Sequence, residues 1–238
     1  MNKFFYTGDE LETFKLAKNW KNYYLYKIKK SSIIGPVLEV GSGIGEITKK
    51  FKYIWSKSFW VCLEPDKNNS KKIQSLITKK VLSEKVSIFC GFLSDLRNKK
   101  LFFNSILFID SLEHIENDHK ALKDADKLLK KDGKLVVIVP AHNFLYNEFD
   151  RSIGHFRRYN KEMLKNVLPK NHKLISLQYI DSVGFFLSLG NKYLLKSSNP
   201  TSKQVLFWDR VIVPISFILD KLLFHTFGKN LIMFSTKK

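Results

Sequence analysis

Val37-Leu38-Glu39-Val40-Gly41-Ser42-Gly43-Ile44-Gly45-Glu46-Ile47-Thr48 is the stretch that decides the fold. Val37, Leu38 and Val40 lie between Pro36 and Gly41, which predicts a short strand buried on both faces. Three glycines at alternate positions then let the backbone take φ > 0 and approach a ligand closely. Ile47, Phe51 and Ile54 recur at helical spacing, so a helix is expected to follow the loop. Such a junction points backbone N–H groups beyond the carboxyl end of the strand. A second strand is read from Phe59 to Leu63, with Glu64 at its end, 23 residues after Gly41. An acid at about that distance can accept hydrogen bonds from the ribose hydroxyls of an adenosine cofactor.

Working outward, the pattern alternates. Asp9 to Lys30 predicts an amphipathic helix with Phe14, Ala17, Trp20, Tyr24 and Ile28 on one face. Asp66 is a candidate cap for a helix carrying Ile73, Leu76 and Ile77. Further strands are expected at Val86–Cys90, Ser105–Ile109, Leu135–Val139, Leu174–Ile180 and Leu231–Phe234. Asn117 or Asp118 opens a helix closed by Gly133 as its C-cap, and Lys161 to Leu168 predicts another. Strands alternating with helices imply an α/β, doubly wound, mostly parallel sheet. Asp181 to Lys229 does not fit the minimal pattern. This apolar insertion, with Phe185, Phe186, Leu194 and Trp208 turned inward, is expected to form a helical cap. The organisation expected is a single domain over 1–238: an N-terminal helix at 9–30, a cofactor-binding core at 36–180, the cap at 181–229 and the last strand at 230–238.

The length of 238 residues suits one domain with a sizeable core. No stretch reaches the ~18 apolar residues of a membrane span, and the opening residues lack the apolar run of a secretion signal. Cys62 and Cys90 fall inside expected strands, which suits reduced thiols in the cytoplasm. The net charge of +19 comes mostly from dispersed lysine pairs rather than one basic tract, so a nucleic-acid partner ranks below a small-molecule one. Contact with the inner face of a membrane, peripheral to it, is the other use such a charge suggests. Composition leaves the oligomeric state open.

The spacing Gly41-x-Gly43-x-Gly45, with Glu39 two residues before it, resembles motif I of the class I S-adenosylmethionine (SAM) methyltransferases. Leu112-Glu113-His114 and Gly154-His155-Phe156-Arg157-Arg158-Tyr159 resemble motifs of a bacterial subgroup of that superfamily. The resemblance implies a Rossmann-like sheet of seven strands, the last antiparallel, with SAM as methyl donor. It implies cofactor contacts from Glu39, Gly41, Ser42, Gly43, Gly45, Glu64 and Pro65, from Phe92 or Leu93 against the adenine, and from Asp110.

Methyl transfer from a sulfonium needs the acceptor positioned and its proton removed. His155 is the candidate base, with Asp150 and Arg157 as further catalytic candidates; a guanidinium suits a carboxylate or phosphate. Asp110, Glu113 and His114 share a helical face. The motif is similar to the metal-binding Glu-x-x-Glu-His of certain O-methyltransferases, which implies a divalent cation held by Asp110, Glu113, His114 and His155. The reading is O-methylation of a small-molecule, glycan or lipid-linked acceptor. The alternatives are an RNA ribose 2′-O-methyltransferase with a divalent cation, and a SAM-binding subunit without catalysis.

Overall fold

The computed structural model describes residues 6, 8, 10–97, 99, 101–190, 192 and 200–238. Seven strands form one sheet: β1 Val37–Val40, β2 Trp60–Glu64, β3 Val86–Cys90, β4 Phe103–Ile109, β5 Leu129–Pro140, β6 His172–Ile180 and β7 Asn230–Lys237. Their order is β3-β2-β1-β4-β5-β7-β6. β1 to β5 pair in parallel, and β7 runs antiparallel to both β5 and β6. All four residues of β1 are buried, as a central strand requires. Its side chains alternate between two cores: Val37 joins the layer of Trp20, Phe51 and Trp60, while Leu38 and Val40 join that of Phe108, Leu122 and Val137. Leu174 and Leu231, both placed in strands from the sequence, pack in the second layer.

The helices are α1 Glu10–Phe14, α2 Lys18–Lys29, α3 Lys52–Trp55, α4 Lys67–Thr78, α5 Leu93–Leu96, α6 Asp118–Leu128, α7 Glu148–Ser152, α8 Lys161–Val167, α9 Ser182–Gly190, α10 Ser202–Phe207 and α11 Val213–Leu222. The expected N-terminal helix is thus two, broken between Phe14 and Lys18, with Ala17, Trp20, Tyr24 and Ile28 buried. Asp66 caps α4 by accepting from Asn69 N at 2.8 Å. After the glycine loop the chain makes a 3-10 turn, Thr48–Phe51, before α3.

Gly133 is not a C-cap. α6 stops at Leu128 because Leu129 is drawn into pairing with Phe103, and residues 130–133 bulge before pairing resumes at Lys134 with Ser105. Asp132, at φ 61°, takes the left-handed position expected of the glycine. Three other non-glycine residues with left-handed φ follow the carboxyl ends of β4, β5 and β6: Asp110 (48°), His142 (64°) and Asp181 (64°). Such backbone is costly and concentrates where a site is built.

The described part of the insertion is mostly helical. α10 runs through a π turn, Trp208–Ile212, into α11, and α9 packs beside α11. Trp208 turns inward onto Trp20 and Phe14, whereas Phe186 points to solvent at 57% exposure. Leu194 lies outside the described residues.

Candidate functional site

The glycine loop and the end of β2 build one wall of a cavity of about 470 Å³. Gly41, at φ 74°, lets the chain pass Ser111, whose Cβ would lie 2.5 Å from a Cβ added at 41. Gly43, at φ 54°, is different: a Cβ there would make ordinary contact with Leu11 at 3.6 Å, and the residue lines the cavity. Its N–H donates to Glu64 Oε2 at 2.7 Å, and Asp66 N donates to Oε1 at 3.0 Å. Each oxygen keeps a lone pair for a further donor. Burial pushes the Glu64 carboxyl up to about 7, against the pull of the Asp66 and Gly43 N–H groups. Pro65, Phe92, Leu93 and Asp110 line the same cavity, with Phe92 half exposed at its edge.

Other expected cofactor residues do different work. Gly45 lines neither cavity; it admits α4, with Leu76 and Ile73 at 3.2 and 3.3 Å from an added Cβ. Glu39 is buried with Oε2 accepting from Thr48 Oγ1 at 2.6 Å and Trp60 Nε1 at 2.9 Å, so it ties the loop to the core while bordering the cavity beneath. Ser42 donates to Glu39 O at 3.0 Å.

A second cavity of about 230 Å³ shares Tyr6, Leu11, Gly41, Gly43, Asp110 and His114 with the first. Its far wall is polar. His155 Nδ1 lies 2.8 Å from Asp150 Oδ1, and Arg158 Nε and Nη2 lie 2.9 Å from the same carboxylate. Burial opposes charge on Asp150, but His155 and Arg158 outweigh it and hold the carboxyl below the usual range. A carboxylate kept ionised only accepts, so Nδ1 carries the proton and Nε2 of a neutral His155 keeps its lone pair. That nitrogen faces Glu113, 3.9 Å from Oε1. His114 packs edge-on to His155 with ring centroids 4.5 Å apart.

Three of the four expected cation ligands come together: atoms of Glu113, His114 and His155 lie within 4.8 Å of one another. Asp110 does not join them, because its φ of 48° turns the carboxylate to Tyr24, whose hydroxyl lies 3.0 Å from both oxygens. Both Glu113 carboxylate oxygens are buried without a hydrogen-bond partner. Burial and Asp110 push the Glu113 carboxyl well up; burial and His155 push the His114 imidazole down to about 3.

Arg157 is displaced from the expected role. It turns away from the cavities, donates to Ile115 O (2.8 Å) and Glu116 O (2.5 Å), and pairs with Asp118 at 3.2 Å. Arg158, its neighbour, lines the second cavity instead, with Nη1 buried and unpartnered. Tyr6, Leu11, Tyr24, Trp208 and Lys229 also line it. No motif marks Tyr6 or Leu11; Trp20 and Tyr24 on one helical face gave a sequence signal that α2 lies against this region, and Trp208 was expected to turn inward from the insertion.

The profile of a family described as a methyltransferase domain matches residues 13–175. No curated protein matches the chain. Among solved structures, a SAM-dependent methyltransferase from Thermotoga maritima superposes with a TM-score of 0.59 at 17% identity, over 97% of this chain and 95% of its own. One from Clostridium acetobutylicum gives 0.58 at 11%, over 93% and 92%. The [4+2]-cyclase SpnF gives 0.60 at 16%, over 91% and 80%. These likenesses are of fold, which by itself does not fix a reaction.

Proposed function

The chain belongs to the methyltransferase-domain family and is a SAM-dependent methyltransferase, and we propose that it methylates a hydroxyl oxygen of a small-molecule, glycan or lipid-linked acceptor. The donor, when bound, supplies a methyl group already activated on a sulfonium. The residues fit it: Gly43 and Glu64 line a cavity of about 470 Å³, ample for a nucleoside-sized ligand, and each Glu64 oxygen, with one hydrogen bond accepted, can accept another. Phe92 and Leu93 offer an apolar surface for the base.

The observation that carries the oxygen reading is the Asp150–His155 pair on the wall of the adjoining cavity. An imidazole oriented by a carboxylate can take a hydroxyl proton as the oxygen attacks. Arg158, fixed on Asp150, leaves Nη1 for an anionic group of the acceptor. We place the protein in the cytoplasm, meeting lipid-linked acceptors at the inner face of a membrane; no helix among the described residues is long and apolar enough to cross one.

Incubation with methyl-labelled SAM and a fractionated cell extract tests the reading. Label is expected in the lipid or small-molecule fraction, in an ether linkage. Label confined to RNA would replace it with the ribose reading.

The unpartnered oxygens of Glu113 favour a second reading, in which Glu113, His114 and His155 hold a divalent cation. A bound cation would supply a Lewis acid beside the acceptor oxygen. The two readings separate by metal content as well as by turnover. A resident cation predicts about one equivalent of metal by elemental analysis of the purified protein, lost in Glu113→Gln. If His155 serves as base alone, dialysis against EDTA leaves turnover unchanged and elemental analysis finds no stoichiometric metal.

A further inference from the structure

The segment from α10 to α11 buries Val205, Ile212 and Val213, as a helix on a globular surface does, but buries polar residues beside them and exposes a second apolar face. Its buried positions include Asp209 (2% exposed), Ser216 (0%) and Asp220 (0%). Its exposed positions carry Phe207, Val211, Ile215, Ile218 and Leu222, at steps of three and four, so they form one stripe. Ile218 and Leu222 are 61% and 66% exposed, and Phe224 just beyond is 86% exposed.

The inward polar residues have a structural purpose. Asp209 accepts from Asn19 N at 3.1 Å and Trp20 N at 2.9 Å, capping α2, whose own N-cap Ala17 has no side-chain acceptor. Asp220 accepts from Asp181 N at 2.7 Å and Ser182 N at 2.9 Å, capping α9, and from Tyr23 OH at 2.7 Å. Ser216 donates to Asp181 Oδ1 at 2.7 Å. Among the described residues the outward apolar stripe has no such partner. A contiguous apolar face of this kind marks a contact surface.

Charge selects the occupant. The sequence from 181 to 238 holds three carboxylate side chains, Asp181, Asp209 and Asp220, and all are buried. Lys203, Arg210 and Lys221 are exposed along the same helical segment. Lys221 lies over the Phe217 ring at 4.1 Å and shares the Tyr26 ring with Lys30 from α2 and its C-cap. The segment is therefore apolar and cationic on its exposed side, with no exposed acid of its own, as on helices that lie in the plane of an anionic bilayer.

We propose that the face of Phe207, Val211, Ile215, Ile218 and Leu222, flanked by Arg210 and Lys221, docks the enzyme on an anionic lipid surface. The proposal deepens the lipid-linked reading of the acceptor, yet it stands on the helix alone. Co-sedimentation with phosphatidylcholine vesicles, with and without phosphatidylglycerol, tests it. The parent is expected to bind the anionic vesicles, to release in high salt and to bind neutral ones weakly. Ile218→Glu with Leu222→Glu is expected to weaken partitioning at least about tenfold, and loss of the charge at Arg210 or Lys221 about fivefold each. These side chains point to solvent, so S-adenosylhomocysteine affinity and near-ultraviolet dichroism are expected to match the parent in every variant. Failure of the parent to bind S-adenosylhomocysteine would strike the cofactor reading and leave the vesicle result standing. Equal binding to both vesicle types, binding that survives the glutamate substitutions, tighter binding to structured RNA, or a dimer that the glutamates dissociate would each overturn the proposal.

Discussion

His155→Ala is expected to lower turnover by roughly two to four orders of magnitude, with S-adenosylhomocysteine affinity close to that of the parent. The expectation rests on the 2.8 Å contact with Asp150, which fixes the imidazole so that Nε2 accepts. His155 lies on the second cavity and not on the first, so its loss leaves the adenosine wall untouched. Asp150→Asn is expected to cost a comparable factor, because a carboxamide can present its N–H₂ to Nδ1 and reverse the tautomer. Asp150 also anchors Arg158 and accepts from Asn147 N at 3.0 Å, so the comparison requires a folded variant, checked by near-ultraviolet dichroism. Rates are read from label transfer into the acceptor fraction. Undiminished single-turnover methylation by His155→Ala would remove the base from the account.

Glu64→Ala is expected to weaken S-adenosylhomocysteine binding by ~1.5–3 kcal/mol, about ten- to 150-fold, if the carboxylate accepts the ribose hydroxyls. The pH dependence has a definite sign. Burial raises the Glu64 carboxyl to about 7, and the ionised form is the acceptor. Below pH 7 the group is increasingly protonated before ligand arrives, so affinity falls by up to about tenfold per pH unit; above pH 7 this contribution is level. Glu64→Gln removes the titration, and its profile across this range is expected to be flatter. Gly43→Val attacks the same wall sterically. A branched residue at φ 54° costs ~1–3 kcal/mol of stability, and its side chain crowds Leu11 where both line the two cavities. Equilibrium dialysis of parent and variants across pH checks all three. An affinity for the parent independent of pH between 5 and 8 (roughly, around the Glu64 midpoint) would show that the carboxylate is not the acceptor.

The fold was legible because its signals are local. The apolar run of β1, the glycines after it and Asp66 at the start of α4 each act within a few residues. The place of Glu64 beside the glycine loop was legible for the same reason, since it ends a strand next to that loop. Gly133 misled because a helix end was judged from glycine chemistry, while the pairing of Leu129 with Phe103 set the end instead. Arg157 and Arg158 could not be told apart in sequence. They are adjacent in an extended segment, where successive side chains point to opposite sides, and only tertiary contact places Arg158 inward. Asp110 was expected to share a face with Glu113 and His114 on a helical turn. The chain makes a left-handed residue at Asp110 before the 3-10 turn Leu112–His114, which breaks that periodicity. The outward apolar stripe of the α10–α11 segment was hidden because the polar residues opposite it serve as caps for α2 and α9, contacts that span 189 and 38 residues.

The central claim is that the space between the glycine loop and Glu64 holds the methyl donor. Calorimetric titration of the purified parent with S-adenosylhomocysteine above pH 7 tests it most directly. The account predicts saturable binding of one equivalent, lost in Gly43→Val and weakened in Glu64→Ala. A folded parent that gives no binding heat across a range of temperatures, and is not stabilised against thermal unfolding by the ligand, would contradict it.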